Sequence, residues 1–238
     1  RAGILFGMAV AFGTIVYNLP SEVGFMDGLH LAGKMGKTEA IDFSFDWDKR
    51  YTFWSGITGG FFLALSYFGT DQSQVQRYLG GASVKESRMG LMFNAILKIP
   101  MQFFILLTGV MVFVFYQFQP HDILFDSTSL ELLEETGYND KLAELRAEHY
   151  QIHEDKKEAA IDYINLQESG SIEEIANAEN NLNELKSRAF EKRDEAKALV
   201  QQAFPENTQK DSDYVFISYI LNFMPAGLVG LLLAVIIS

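Results

Sequence analysis

Residues 69 to 88, GTDQSQVQRYLGGASVKESR, form a polar, glutamine-rich connector between two apolar runs. The run before it, Tyr51 to Thr70, carries no charge, and the one after it, Met89 to Gln119, carries only Lys98. The charges of the 238-residue chain are segregated in the same manner. The stretch His121 to Asp213 has a net charge of −13, whereas the whole chain has −12, so everything outside that stretch is close to neutral.

Four uncharged runs make up the charge-poor part: Ala2 to Ser21, Tyr51 to Thr70, Ile99 to Pro120 and Tyr214 to Ser238. About 20 apolar residues at 1.5 Å rise cross a hydrocarbon core of roughly 30 Å, so each run is long enough to span a bilayer. Soluble helices seldom continue that far without a polar face. The expectation is an all-α membrane protein with transmembrane segments in 1–120 and 214–238 and an acidic extramembrane insertion at 121–213. An opening arginine set directly against an apolar run, and an end inside LLLAVIIS, suggest a piece of a longer protein. With no cysteine, disulfide and thiolate chemistry are excluded. No nucleophile, phosphate loop or carboxylate pair falls in a plausible pocket, which argues against an enzyme.

The connector then reads as a turnaround between two spans. It holds Arg77, Lys85 and Arg88 in a short loop, against Lys34, Lys37, Lys49 and Arg50 in the longer loop before Tyr51, and that density favours the connector on the cytoplasmic side. A turnaround does not account for Asp71, Gln72, Gln74 and Gln76, which run straight off the end of a span. Such side chains cap a helix, meet headgroups or line a hydrated vestibule.

Trp54-Ser-Gly-x-x-Gly-Gly60, followed by Ser66-Tyr67-Phe68-Gly69-Thr70-Asp71-Gln72-Ser73-Gln74-Val75-Gln76-Arg77-Tyr78-Leu79, closely resembles the sodium/solute symporter family, which includes sodium-coupled sugar, monocarboxylate, vitamin and iodide transporters. Met224-Pro225-Ala226-Gly227-Leu228-Val229-Gly230-Leu231 looks like the family's approach to its eighth core helix. The resemblance covers residues 1 to about 120 and 214 to 238. It implies part of a LeuT-type inverted-repeat bundle and sodium-coupled symport of a small organic solute by alternating access. It also implies a protein of the cell membrane with the connector inside the cell and the 21–50 loop and the acidic insertion on the extracytoplasmic side. On that map, residues 3–19 end core helix five, 51–79 form helix six, 89–118 helix seven, and 214 onward begins helix eight. The sodium ion would be held by carbonyls of core helix one and hydroxyls of helix eight, outside this chain, with Ser238 just before the paired serines. The alternative is a transporter-like membrane sensor or scaffold that signals through a partner.

Five residues are candidates for the substrate site. Lys98 is ten residues past Arg88, about 15 Å along a helix, where a lysine is costly unless it faces a water-filled cavity or an anion. Its bland alternative is a snorkelling stem or a structural ion pair. The family's sugar transporters have a lysine here that reaches the substrate cavity. Tyr67 matches the aromatic that closes the inner face of their site, although the asparagine some of them carry three residues earlier is Ala64 here, against a hexose. Ser66, Gln72 and Asn94 are weaker lining candidates. Asn94, Lys98 and Gln102 form a stripe at i, i+4 and i+8 that is either a hydrated face or polar glue between helices.

The insertion shows two helical seams. One runs Leu142, Leu145, His149, Ile152, Ala159, Tyr163, Leu166, and the other Ile175, Ala178, Leu182, Leu185, Ala189, Ala196, Leu199, Ala203. Such seams fit an antiparallel hairpin of coiled-coil type, with Gly170 ending the first helix and Ser171 to Glu174 opening the second as a capping box. Thr128-x-x-Glu131 suggests a short helix at about Ser129 to Thr136. His121, His149 and His153 tempt a metal reading, but with no H-E-x-x-H and no evident third ligand a solvated acidic face is the preferred one. Lid, spacer and docking surface for an extracytoplasmic protein partner are the roles considered for the insertion.

Overall fold

A computed structural model describes residues 2–38, 42–45, 52–69, 72, 76, 83–206 and 210–230. Among these residues every regular element is helical. The elements are α1 (Ala2–Tyr17), α2 (Phe25–Lys34), α3 (Phe53–Gly69), α4 (Val84–Phe118), α5 (Ser127–Glu134), α6 (Asn139–Ser169), α7 (Ile172–Ala203), a 3-10 turn (Asp211–Tyr214) and α8 (Val215–Phe223). The chain divides into two compact units, one of residues 1–36 with 108–238 and one of residues 37–107.

The apolar runs form helices of unequal length. Ile96–Phe118, within α4, is the described segment long and apolar enough to cross a membrane by itself, while Phe6–Tyr17 and Phe53–Ser66 are shorter. The last run departs from the expected single span. Helix α8 stops at Phe223, Met224 is extended (φ −90°, ψ 145°), and helical backbone resumes at residues 226–230. Pro225 is the cause, because its ring disfavours the helical conformation in the residue before it.

In the first unit α1, α4 and α8 share a core of Ala11, Ile15, Met111, Phe115, Tyr116 and Tyr219. Two hydroxyl contacts tie it together: the Tyr219 hydroxyl lies 2.9 Å from Thr14 Oγ1, and that of Tyr116 lies 3.4 Å from Ser218 Oγ. These bonds satisfy phenols that an apolar surround would otherwise penalise.

Helices α6 and α7 pack along each other. Leu142, Leu145, His149, Ile152, Ala159 and Tyr163 of α6 are buried, as are Leu182, Leu185, Ala189 and Ala196 of α7. The pair is not a free-standing lid. Ala159, Ala160, Tyr163, Leu182 and Leu185 enclose Leu31, Ala32 and Met35 of α2 together with Val114 and Phe118 of α4. Lys34 pairs with Glu179 at 3.1 Å, and Lys186 Nζ donates to the Met35 carbonyl at 2.8 Å. Exposed pairs of this type add at most about 1 kcal/mol, so apolar burial holds the contact.

Local signals explain the helix ends. Ser171 and Glu174 form the capping box: the Ser171 N–H donates to Glu174 Oε2 at 2.8 Å and the Glu174 N–H donates to Ser171 Oγ at 3.3 Å. The short helix starts earlier than expected, because Asp126 rather than Thr128 caps it by accepting from Ser129 N–H. A carboxylate at that position is the stronger cap beside the partial positive charge of the helix start. Gly170 ends α6 with φ −82°, so close approach rather than a left-handed backbone requires glycine: a Cβ there would stand 2.7 Å from the Leu166 carbonyl oxygen. Gly170→Ala is expected to destabilise the helix pair by more than about 1 kcal/mol in chemical denaturation. Gly137→Ala, where a Cβ meets nothing within 4 Å, should be near neutral.

Candidate functional site

The five sequence-predicted site residues all fall in residues 37–107. Ser66 is exposed at the end of α3, and Gln72 is helical and exposed just beyond it. The side chains of Tyr67 and Asn94 lie outside the described residues, as do Asp71, Gln74 and Arg77 of the connector. Lys98 and Gln102 are exposed on α4. The structure therefore carries Lys98, Gln102 and the Asn94 backbone on one continuous helix at the anticipated spacing.

Helix α4 sets the depth of Lys98. The uncharged flank from Met89 is helical throughout, and the helix continues through Pro100. Pro100 supplies no N–H to the carbonyl of Ile96, leaving an acceptor one turn from Pro100 and close to Lys98 along the chain. Lys98 lies fourteen residues from the start of α4 at Val84, about 21 Å along the helix at 1.5 Å per residue. Counting from Arg88 gives about 15 Å. Both counts place Lys98 in the half of α4 nearer Val84.

Around these residues the surface is apolar. Phe61, Phe62 and Leu63 on α3, and Ile96, Ile99 and Phe103 on α4, are each at least 60% exposed. Isolated exposed apolar side chains are ordinary, but a contiguous series is the mark of a surface meant for lipid or for neighbouring helices. Notional Cβ atoms on Gly56, Gly59 and Gly60 meet nothing within 4 Å. The start of α3 is well built: Thr52 and Ser55 cap it reciprocally, with Thr52 N–H donating to Ser55 Oγ at 2.9 Å and Ser55 N–H to Thr52 Oγ1 at 3.3 Å. Phe43 and Phe45 add edge and tilted contacts to Phe53 and Trp54.

A second group of functional side chains lies at the base of the helix pair. The preferred placement of the histidines on a solvated face is corrected here: His149 and His153 are each 2% exposed. Both project from the buried side of α6, and His121, at the exit of α4, meets them with ring centroids 5.0 Å from His149 and 5.5 Å from His153. The His149 and His153 centroids are 6.4 Å apart. His121 Nδ1 is 2.7 Å from the Asp122 carbonyl oxygen, to which its N–H donates, and its ring stacks on Phe125 at 4.7 Å. Arg146 clamps the same corner through Nε and Nη2 to the two Asp122 oxygens at 2.9 and 2.8 Å.

Burial governs the electrostatics of this cluster. It pushes His149 and His153 down to about 4, with the positive charge of Lys156 adding to the effect. Burial likewise takes His121 down to about 2 and the Lys156 ammonium to about 8. Desolvation disfavours the charged form of each. Among the described residues no group of three histidine, aspartate or glutamate side chains is arranged to hold a metal ion.

Arg193 and Asp211 were not singled out from the sequence, since they lie eighteen residues apart across a loop. Asp211 Oδ2 takes an ion pair from Arg193, and its Oδ1 accepts from the backbone N–H groups of Phe125 and Asp126. The Arg193 guanidinium lies 5.2 Å from the Phe125 ring centroid.

Comparison with known proteins points to transport. The chain is 32% identical to the sodium/iodide cotransporter of Homo sapiens over 111 residues, 47% of this chain and 16% of that protein. It is 34% identical to sodium-coupled monocarboxylate transporter 2 of Mus musculus over 88 residues, 37% of this chain and 14% of that protein. The sodium-dependent multivitamin transporter of Oryctolagus cuniculus is 33% identical over 94 residues, 38% of this chain and 14% of that protein. The matched stretches thus span less than a fifth of these relatives. No family model matches the chain, and no solved structure is a significant match. The curated homologues are sodium/solute symporters, and they are transporters rather than enzymes.

Proposed function

We propose that this chain contributes core helices to a sodium-coupled symporter that moves a small organic solute across a cell membrane by alternating access. The observation that carries the reading is the similarity to sodium-coupled transporters of three named solute classes, taken with apolar helices whose exposed faces call for lipid or further helices. The helices would belong to a LeuT-type inverted repeat. Coupling requires only that sodium and solute together favour one conformation over the other.

Within this reading Lys98 faces the substrate cavity from the half of the membrane nearer the connector. Tyr67 closes the inner side of the site, and Ser66, Gln72 and Asn94 line it. The sodium ligands belong to parts of the protein outside this chain. The helix pair α6 and α7 stands on the extracytoplasmic side with α2, against which it packs, so the two loops share one face of the bilayer.

The test is uptake by the protein in proteoliposomes, with and without a sodium gradient, using labelled sugars, monocarboxylates, vitamins and iodide. Sodium-driven uptake of one class is expected. Lys98→Ala should lower that uptake by about tenfold or more, the scale of a lost charged hydrogen bond. Undiminished uptake by Lys98→Ala would make the lysine structural, and a panel that never responds to sodium would sink symport in favour of a sensing role.

A further inference from the structure

We propose that His121, His149 and His153 form an acid-released latch, which docks the middle of α6 on the exit of α4 while the rings are neutral and lets it go when they take up protons. The latch is built within residues 121–213 and does not depend on the transport reading.

The rings interrupt an otherwise apolar seam. Leu142 and Leu145, near the start of α6, pack with Ile123, Leu124, Leu130 and Leu133. Ala159, Ala160 and Tyr163, towards its end, join α2 and α4 in a separate core. His149 and His153 occupy the stretch between these cores, and none of their four ring nitrogens has a hydrogen-bond partner among the described residues. Apolar side chains would fill that stretch without leaving donors and acceptors unmet. What imidazole adds at the same place is a group that changes charge just below neutral pH.

Two segments of the chain meet at the rings. His121 follows α4 directly and faces both α6 histidines at centroid distances of 5.0 and 5.5 Å, so protons on the two sides would set like charges against each other across the contact. The same corner supplies the backbone N–H groups of Phe125 and Asp126 to Asp211, which opens the 3-10 turn leading into α8. Release of α6 from this corner therefore also loosens the anchorage of α8.

The surrounding charges set the direction. Lys156 of α6 and Arg193 of α7 both disfavour a proton on His149, and Lys156 and Lys157 disfavour one on His153. The carboxylates around them are already engaged: Asp122 and Glu134 share Arg146, Asp211 pairs with Arg193, Glu148 with Lys192 and Glu154 with Lys157, while Asp126 accepts from Ser129. Asp122 eases the charge on His149 and Glu154 that on His153, each less than the opposing cations and burial together. The Tyr116 ring lies edge-on to His121 and brings no charge at neutral pH. Once α6 has moved away, water solvates the imidazolium rings, so protons favour release. Rings that titrate together make the transition steeper than that of a single group.

The chain has no cysteine, so a spin-label pair at Pro120→Cys and Gln151→Cys, both exposed, reads the separation of the α4 exit from the middle of α6. The experiment measures that distance in the protein in lipid nanodiscs from pH 8 to pH 5, with helical circular dichroism on the same samples. One narrow distance is expected at pH 8, and a longer population should grow reversibly below about pH 6.5, the ordinary histidine value, more steeply than a one-proton titration. Helical content should stay unchanged through that transition. A His149→Gln, His153→Gln double variant, polar but unable to charge, should keep the narrow distance to pH 5. His149→Phe with His153→Leu is measured beside it, so that a folded variant without the two proton sites is obtained. The proposal is overturned if the native distance ignores pH, or if the variants open as the native protein does. It is equally overturned if opening coincides with loss of the helical signal, which is denaturation rather than release.

Discussion

Asp211→Ala is expected to destabilise the base of the helix pair by about 3 kcal/mol, a loss typical of removing one partner from a buried ion pair. The carboxylate side chain is only 8% exposed and serves three donors: the guanidinium of Arg193 and the backbone N–H groups of Phe125 and Asp126. Alanine would leave all three without their acceptor, and the backbone pair has no freedom to turn towards water. Asp126 in turn caps α5 through Ser129, so the damage should reach that helix. Asp211→Asn keeps an oxygen acceptor and should lose less than Asp211→Ala. Helical circular dichroism during urea unfolding measures both, and a loss below about 1 kcal/mol for the alanine variant would show that the chain reaches the same packing without this carboxylate.

Acidification is expected to unfold the same region before the rest of the protein. His149 and His153 are held down to about 4 in the folded state, chiefly by burial, against an ordinary value of 6.5. A group whose folded value is depressed binds its proton in the unfolded chain first. The stability is therefore intact above pH 6.5 and declines as pH falls towards 4. At about 1.4 kcal/mol per unit, each histidine contributes roughly 3 kcal/mol to that decline, and coupling between them makes the sum inexact. Asp122 eases the charge on His149, whereas Lys156 and Arg193 oppose it. Glu148 and Glu174 also sit below their ordinary value, through hydrogen bonds to Lys192 and Ser171, and add to the loss in the acid direction. Melting temperatures from pH 8 to pH 4.5 should fall steeply in the native protein, and the slope should flatten in a His149→Phe, His153→Leu double variant. An equal slope in both would place the acid sensitivity elsewhere. Lys156 has the same sign in a higher window: held at about 8 by burial, it loses its proton in the folded state first, so stability should rise from pH 8 towards 10.5.

The histidines also show where reading a sequence by pattern divides against itself. His149 occupied a place in the apolar seam of α6, between Leu145 and Ile152, and that periodicity implied burial. Its charged neighbours Glu148 and Glu154 suggested a solvated face instead. Periodicity was the better guide, because a helix fixes the direction of every side chain while neighbours in sequence point a hundred degrees away. Met224 and Pro225 teach the converse lesson. An uncharged run of 25 residues reads as one span by length, yet a single proline ends α8 at Phe223.

Local and compositional facts were decided by the sequence alone. Segregated charge, the seams of α6 and α7, the Ser171 capping box and the polar connector are properties of residues close together in the chain, and their consequences act over one or two helical turns. The resemblance to sodium/solute symporters, carried by the residues around Gly56 to Leu79, likewise needed no coordinates. Only the tertiary structure brought Asp211 to the amides of Phe125 and Asp126, Leu31 and Met35 against the helix pair, and His121 across from His149 and His153. Those meetings join residues up to about 150 positions apart, and they are chosen by which apolar faces must share one core, a choice that no local spacing encodes.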